Sequence, residues 1–206
     1  MFDDNTRFEK MELYFTLIRN GFVGTVTPFF SDCEHGIRYL EGRNIHNGII
    51  SDNEVIYVTK EFHEKHGKTE LKVGDILMVQ SGHVGECAVV GEKYAGANCH
   101  ALIVMSNGGC YNSKFAMYYF YSSEGKRKLE AITTGETVKH ILASKMKSYT
   151  IPVVPIEKQN HIVDILDRLN ILYNNTINEL LAEMKDRRKQ YEYYRDKLLS
   201  FKELNV

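Results

Sequence analysis

The chain has 206 residues, 43% of them hydrophobic and 26% charged, with only three prolines; this is the composition of a folded protein with one sizeable core, and it excludes disordered and fibrous classes. No run reaches the roughly 18 to 20 apolar residues of a membrane span, and the opening "MFDDNTRFEK" is acidic where a secretion signal is basic and then apolar. A cytoplasmic protein with no membrane contact is expected. The formal net charge of −1 hides an asymmetry: residues 1–112 carry 10 basic and 15 acidic side chains, residues 113–156 carry 7 and 3, and residues 157–206 carry 9 and 9. The middle block, with "EGKRKLE" and "TVKHILASKMK", fits either a solvated basic face or an anionic partner such as DNA.

Taken in chain order, the first 112 residues read as short strands and turns. "GIRYLEGRNI", "EVIYVT", "DILMVQSG", "CAVVGE" and "HALIVMS" are apolar or alternating runs rich in Val, Ile and Tyr, bounded by Gly, Asn, Asp or Ser. "NSKFAMYYFYSSEGKRKLEAI" breaks that rhythm with aromatics at helical spacing, and Asn112 or Ser113 can cap one or two short helices there. A turn and strand are expected over "TTGETVKHI", and "SYTIPVV" reads as a further extended segment. From about Glu157 to Leu199 there is neither Pro nor Gly, so one helix of about 43 residues, some 65 Å at 1.5 Å per residue, is uninterrupted. Pro152 and Pro155 on either side of "VV" fix the angle at which that helix leaves the sheet.

So long a rod exceeds what a small globule can cover. Ile177, Met184, Tyr191 and Leu198 recur every seven residues, and Leu166, Tyr173, Leu180, Arg187 and Tyr194 form the second, offset set. This is a seam for another helix, with Arg187 and the tyrosines making it partly polar. The alternative is a helix folded back on its own domain. The fold class is therefore α+β: a β-rich globular domain over residues 1–152, then a long helix over 153–206 that pairs as an antiparallel coiled coil.

Candidate chemistry is sparse. Cys33, Cys87, Cys99 and Cys110 match no zinc spacing and read as thiols in a reducing compartment. His46, His63 and His66 lack a ligand cluster and read as surface histidines, so no metal site is expected. Cys87 in "GECAVV" reads as core rather than nucleophile. Glu70 and Lys72 with Asp52 upstream imitate the carboxylate and lysine set of a magnesium nuclease, but "ELKVGD" is better explained as a charged turn before a strand. There is no Asn-Pro-Pro-Tyr or Asp-Pro-Pro-Tyr element and no phosphate loop. No catalytic residue is assigned.

"LKVGDILMVQSGHVGECAVV" followed by Asn98, then "GETVKHI", "IPVVPIEKQNHIVDILDRL" and "RRKQYEYYRDKLLSF", with "GIRYLEGRNIHNGII" upstream, together resemble the specificity (S) subunit of type I restriction-modification enzymes. The resemblance spans nearly the whole chain. It implies a target recognition domain that reads a short DNA half-site, followed by a spacer helix. Family members usually hold two such units in tandem, so a chain with one is either a half-length subunit that homodimerises or a piece of a longer one. It also implies methyltransferase (M) and restriction (R) subunits as partners, with AdoMet, ATP and Mg used there and no cofactor bound by this chain. A regulatory or structural partner of a full-length S subunit, without DNA readout of its own, is the alternative.

Readout of double-stranded DNA needs donors and acceptors projected from turns into a groove. Gln80, Ser81 and His83 surround the Gly82 turn, Arg43 and Asn44 flank another, and Lys139 and His140 follow the Gly135 turn inside the basic block. These seven are the candidate DNA contacts, with Lys126, Arg127 and Lys128 adding sequence-independent attraction.

Overall fold

A computed structural model describes residues 6–201. In chain order it contains β1 (Phe8–Lys10), β2 (Phe15–Asn20), β3 (Phe30–Ser31), β4 (Ile37–Leu40), β5 (Ile45–His46), β6 (Ile49–Ile50), β7 (Ile56–Val58), α1 (Lys60–Lys65), β8 (Ile76–Val79), β9 (Cys87–Val89), β10 (Asn98–Cys99), β11 (Leu102–Asn107), α2 (Ser113–Tyr121), α3 (Ser123–Ile132), α4 (Ala143–Ser148), β12 (Thr150–Pro152) and α5 (Ile156–Leu199). The α+β reading holds.

Two four-stranded sheets organise the globular part. One runs β2-β11-β8-β9 and is antiparallel throughout; the other runs β10-β4-β7-β3, with β10 parallel to β4. The hairpin β5-β6 and the pair β1-β12 complete the strands. β8 is buried on both faces, which is why "ILMV" is continuously apolar instead of alternating. Leu77 and Val79 point into a core shared with Leu102 and Val104 of β11, Ala88 of β9, and Ile45 and Ile50 of the hairpin. By alternation Ile76 and Met78 face the other way, and both are fully buried as well. A smaller cluster of Val26, Tyr39, Val58 and Phe62 fastens α1 to the second sheet, with Phe62 edge-on to Tyr39 and Phe22.

The expected helices in "NSKFAMYYFYSSEGKRKLEAI" are two. Asn112 caps α2 by accepting from the Phe115 amide at 3.1 Å, and Ser122 caps α3 by accepting from the Gly125 amide at 3.1 Å. Ser113 is already helical, and its hydroxyl donates to the Gly74 carbonyl at 2.6 Å. Gly125 permits the sharp junction, because a Cβ there would lie 1.9 Å from the Tyr119 carbonyl oxygen. Between Thr134 and His140 the expected strand is replaced by isolated bridges, since this segment closes on itself through Thr134–His140 and then on Ser81.

The proline-flanked joint is held by a buried amide. Gln159, 2% exposed, accepts from the Asn112 amide at 2.8 Å and donates to the Val154 carbonyl at 2.7 Å. α5 then runs for 44 residues, about 66 Å. The chain separates into two compact units, one through His161 and one from Ile162. In the second, Tyr173, Ile177, Leu180, Met184, Tyr191, Tyr194 and Leu198 of the expected seam are exposed, and Leu166 is partly so. Ion pairs one turn apart, Glu183 with Arg187 and Arg188 with Glu192, support the helix locally.

Candidate nucleic-acid interface

The site is built around the β8–β9 connection. β8 ends at Val79, and the turn through Gly82 (φ +80°) is closed by the Gly85 amide donating to the Val79 carbonyl at 3.1 Å. The loop before α4 comes alongside: the Ile141 amide donates to the Gln80 carbonyl at 2.9 Å, and Ser81 Oγ lies 2.5 Å from His140 Nδ1. Residues 59 positions apart thus share one surface.

A second hairpin approaches from the other side. Asn47 (φ +49°) and Gly48 (φ +80°) form the central pair of the β5-β6 turn, the left-handed Asn-Gly geometry that matches strand twist. His46, just before it, donates through Nε2–H to the Arg43 carbonyl at 2.8 Å, and its ring stands edge-on to His83 with centroids 6.2 Å apart. Arg43, His46, His83, Ser81, His140 and Lys139 are therefore linked by contact or adjacency. Of the predicted contacts, Arg43, Ser81, His83 and Lys139 are exposed and His140 is half-buried. Arg43 is also engaged by Glu41 at 2.6 Å and by Glu54, so an incoming phosphate must compete for it.

Two of the predicted contacts are corrected. Asn44 is 1% exposed; its Oδ1 accepts from the Glu41 amide at 2.9 Å and its Nδ2 donates to the Asn53 carbonyl at 2.9 Å, so its amide is consumed in holding the loop. Gln80 is 7% exposed, because strand alternation continues from Ile76 and Met78 and turns its side chain to the face opposite Ser81. Both side chains are buried rather than projected from their turns as expected. Of the three basic residues expected to add general attraction, Lys126 and Arg127 are exposed. Lys128 is not: its ammonium sits 3.7 Å over the Phe8 ring and within 3.3 Å of Glu124.

The residues that position this surface were not predicted. The Tyr121 hydroxyl accepts from the Gly48 and Cys87 amides, each at 3.0 Å, and lies 3.1 Å from Glu86 Oε2 and 2.8 Å from the Cys87 carbonyl. Glu86 Oε2 in turn accepts from the Asn47 amide at 2.6 Å. Burial pushes the Tyr121 hydroxyl pKa up, so it keeps its proton. Beside this knot is a cleft of about 340 Å³ lined by Glu86, Tyr121, Lys126, Glu130 and Lys139, among others. The Asn-Gly dipeptide was the available sequence signal for the hairpin; Tyr121 and Glu86 have none.

The other candidate chemistry is not assembled. Asp52 is held by Lys93 and by the Tyr94 hydroxyl at 3.0 Å, Glu70 lies 3.9 Å from His63, and the Lys72 amide donates to Asp75 as a turn before β8 requires. Among the described residues no group of three His, Cys, Asp or Glu is placed to hold a metal ion, and no helix is long and apolar enough to cross a membrane. All four cysteines are free thiols. Burial pushes the Cys99 thiol up to about 12 and Cys87 higher still, which makes both inert.

Comparison with known proteins places the chain in a family. The family described as type I restriction modification DNA specificity domain matches residues 34–185. The specificity subunit of the Escherichia coli type I enzymes EcoR124I and EcoR124II is 43% identical over 86 residues, 41% of this chain and 21% of its own length. That of E. coli EcoprrI is 33% identical over 141 residues, 64% of this chain and 34% of its own. The HsdS subunit of Thermoanaerobacter tengcongensis superposes with a TM-score of 0.63 at 14% identity, covering 98% of this chain and 52% of that one. The S subunit from M. genitalium gives 0.55 at 18% identity, with coverage of 96% and 47%. The chain thus spans about half the length of these solved relatives. With the family match running from the β4 region through β8, β9 and α2 and well into α5, the chain belongs to the type I restriction-modification DNA specificity family.

Proposed function

We propose that this chain is a sequence-specific DNA recognition subunit of a type I restriction-modification system. It directs partner methyltransferase and restriction subunits to a bipartite target in the cytoplasm and performs no catalysis itself; AdoMet, ATP and Mg belong to those partners. The observation that carries this reading is the convergence of Ser81, His83, His46, Lys139 and His140, drawn from three separate segments, on one face of a domain of this family. Side chains from turns held by strands suit groove readout, with Lys139 meeting phosphate and His83 a base edge.

The helix completes the function. Two copies pair antiparallel through Leu166, Tyr173, Ile177, Leu180, Met184, Tyr191, Tyr194 and Leu198, placing two identical domains about a two-fold axis. Each reads the same half-site on opposite strands, so the target is an interrupted palindrome. Methylome sequencing of cells carrying this chain with its cognate M subunit tests the reading directly. New methylation at an interrupted palindrome is expected; shortening α5 by one heptad then changes the gap, or abolishes activity, without altering the half-site. An asymmetric bipartite target with this chain as the sole specificity component overturns the homodimer, and failure of the intact dimer to bind DNA overturns recognition.

A further inference from the structure

The knot that fastens the β5-β6 hairpin leaves one group unexplained. Glu86 Oε2 is fully used, accepting from the Asn47 amide at 2.6 Å and facing the Tyr121 hydroxyl at 3.1 Å. Oε1 makes no hydrogen bond among the described residues, and it is not among the buried polar atoms lacking a partner, so it is left to solvent. Glu86 is half-buried and lines the cleft that also presents Lys126 and Lys139. It is three residues from His83 and accepts from the amide of the residue after His46, which ties it to the two segments whose histidine rings meet.

A carboxylate beside a surface meant for phosphates is costly unless it recognises something, because it repels the backbone of any duplex. Two hydrogen bonds fix this one, so it presents a directed acceptor without losing side-chain freedom on binding. In the major groove, donors are the exocyclic amines of cytosine and adenine. Adenine places the N7 lone pair beside its amine, which would face the carboxylate; cytosine places only a C–H there. The choice between the two is therefore electrostatic.

We propose that Glu86 is a base-reading residue that accepts a hydrogen bond from the cytosine N4 amine through Oε1, with Tyr121 as the positioning residue that aims it. This rests on the DNA-recognition reading above. Lys126 and Lys139 then offset the carboxylate's repulsion by meeting phosphates on either side of the read base.

The test uses the full chain assembled with its M subunit and a duplex library randomised at each position, sequenced after selection. The wild type should prefer cytosine at one position of each half-site by about 5- to 150-fold, the discrimination of one good base contact. Glu86→Ala should lose that preference most of all, while affinity for non-target duplex stays equal to the wild type or rises as the carboxylate's repulsion is removed. Glu86→Gln can keep an oxygen towards Asn47 and Tyr121 while presenting an amide donor, so the preference at the same position should move to an acceptor-bearing base, guanine or thymine. Replacing the cytosine by a pyrimidinone lacking the amine should cost the wild type the same factor and cost Glu86→Ala nothing more. Tyr121→Phe should weaken the preference at that position more than at any other, with a smaller loss elsewhere because the same hydroxyl also holds the Gly48 and Cys87 amides. Unchanged cytosine preference in Glu86→Ala, or a uniform loss at every position in all three variants, overturns the assignment while DNA recognition stands. A wild-type complex with no sequence preference overturns both.

Discussion

In the globular domain Tyr39, Phe62, Leu77 and Phe120 are at most 1% exposed, whereas on α5 Leu172, Tyr173, Met184, Tyr191 and Leu198 are 63–75% exposed. The first region keeps its apolar surface to itself and sets polar groups such as Asn44, Gln159 and Tyr121 in fixed hydrogen bonds. The second displays its apolar side chains along a rod, with charges such as Glu183 and Arg187 or Arg188 and Glu192 paired one turn apart. Monomeric proteins seldom leave contiguous apolar surface of this extent uncovered. The domain holds a few polar side chains still, and the helix leaves its apolar side chains exposed.

The sharpest way to break that contrast is to charge the helix. Replacing both Ile177 and Leu180 by Asp would place two carboxylates in the apolar seam; with each costing several kcal/mol to bury, the dimer constant should weaken by at least about a hundredfold. Sedimentation should then show monomers, while near-UV dichroism of the domain stays native. A double variant that remains dimeric shows that the seam lies on another face.

The complementary change removes a fixed polar group from the domain. Asn44→Ala leaves the Glu41 amide and the Asn53 carbonyl without their partner in a site that is 1% exposed, so unfolding stability should fall by about 1–3 kcal/mol. Dimerisation and base preference should not change. Loss of preference at one base pair, with stability intact, would return Asn44 to the recognition surface. His83→Ala should do the reverse, relaxing one position by about 1–3 kcal/mol with no effect on melting; a change in melting without a change in preference makes His83 a structural residue.

The same contrast explains what the sequence disclosed. α5 was legible end to end because a helix without Gly or Pro carries its pattern locally, and β8, β9 and β11 because their apolar runs are bounded by turn residues. α1 and α4 escaped because six residues hold too little periodicity to register, and β2 because "FTLIRN" is an edge strand with half its side chains in solvent. At the site, residue type and proximity to a turn selected Asn44 and Gln80 alongside Ser81 and His83. What separates them is strand parity and a capping box, which only the fold decides. The meeting of Ser81 with His140 depends on a loop closing on itself through Thr134, a long-range event with no local signature.

The smallest effect offers the finest test of how the domain meets DNA. Lys139 is exposed, lines the cleft beside Glu86, and belongs to a loop pinned by the Thr134 and His140 backbone pair, so its ammonium is held at that cleft without being committed to a partner among the described residues. A lysine that neutralises one phosphate releases about one counterion's worth of salt dependence and carries no base information. Lys139→Ala should therefore weaken binding equally on target and non-target duplexes and lower the slope of log affinity against log salt by about one. Lys128→Ala, made in the same block, should leave that slope unchanged and lower stability instead, because its ammonium lies over Phe8 and against Glu124 inside the fold. If Lys128→Ala changes the slope and Lys139→Ala does not, DNA lies against the β1 side of α3, and the recognition face has to be moved there.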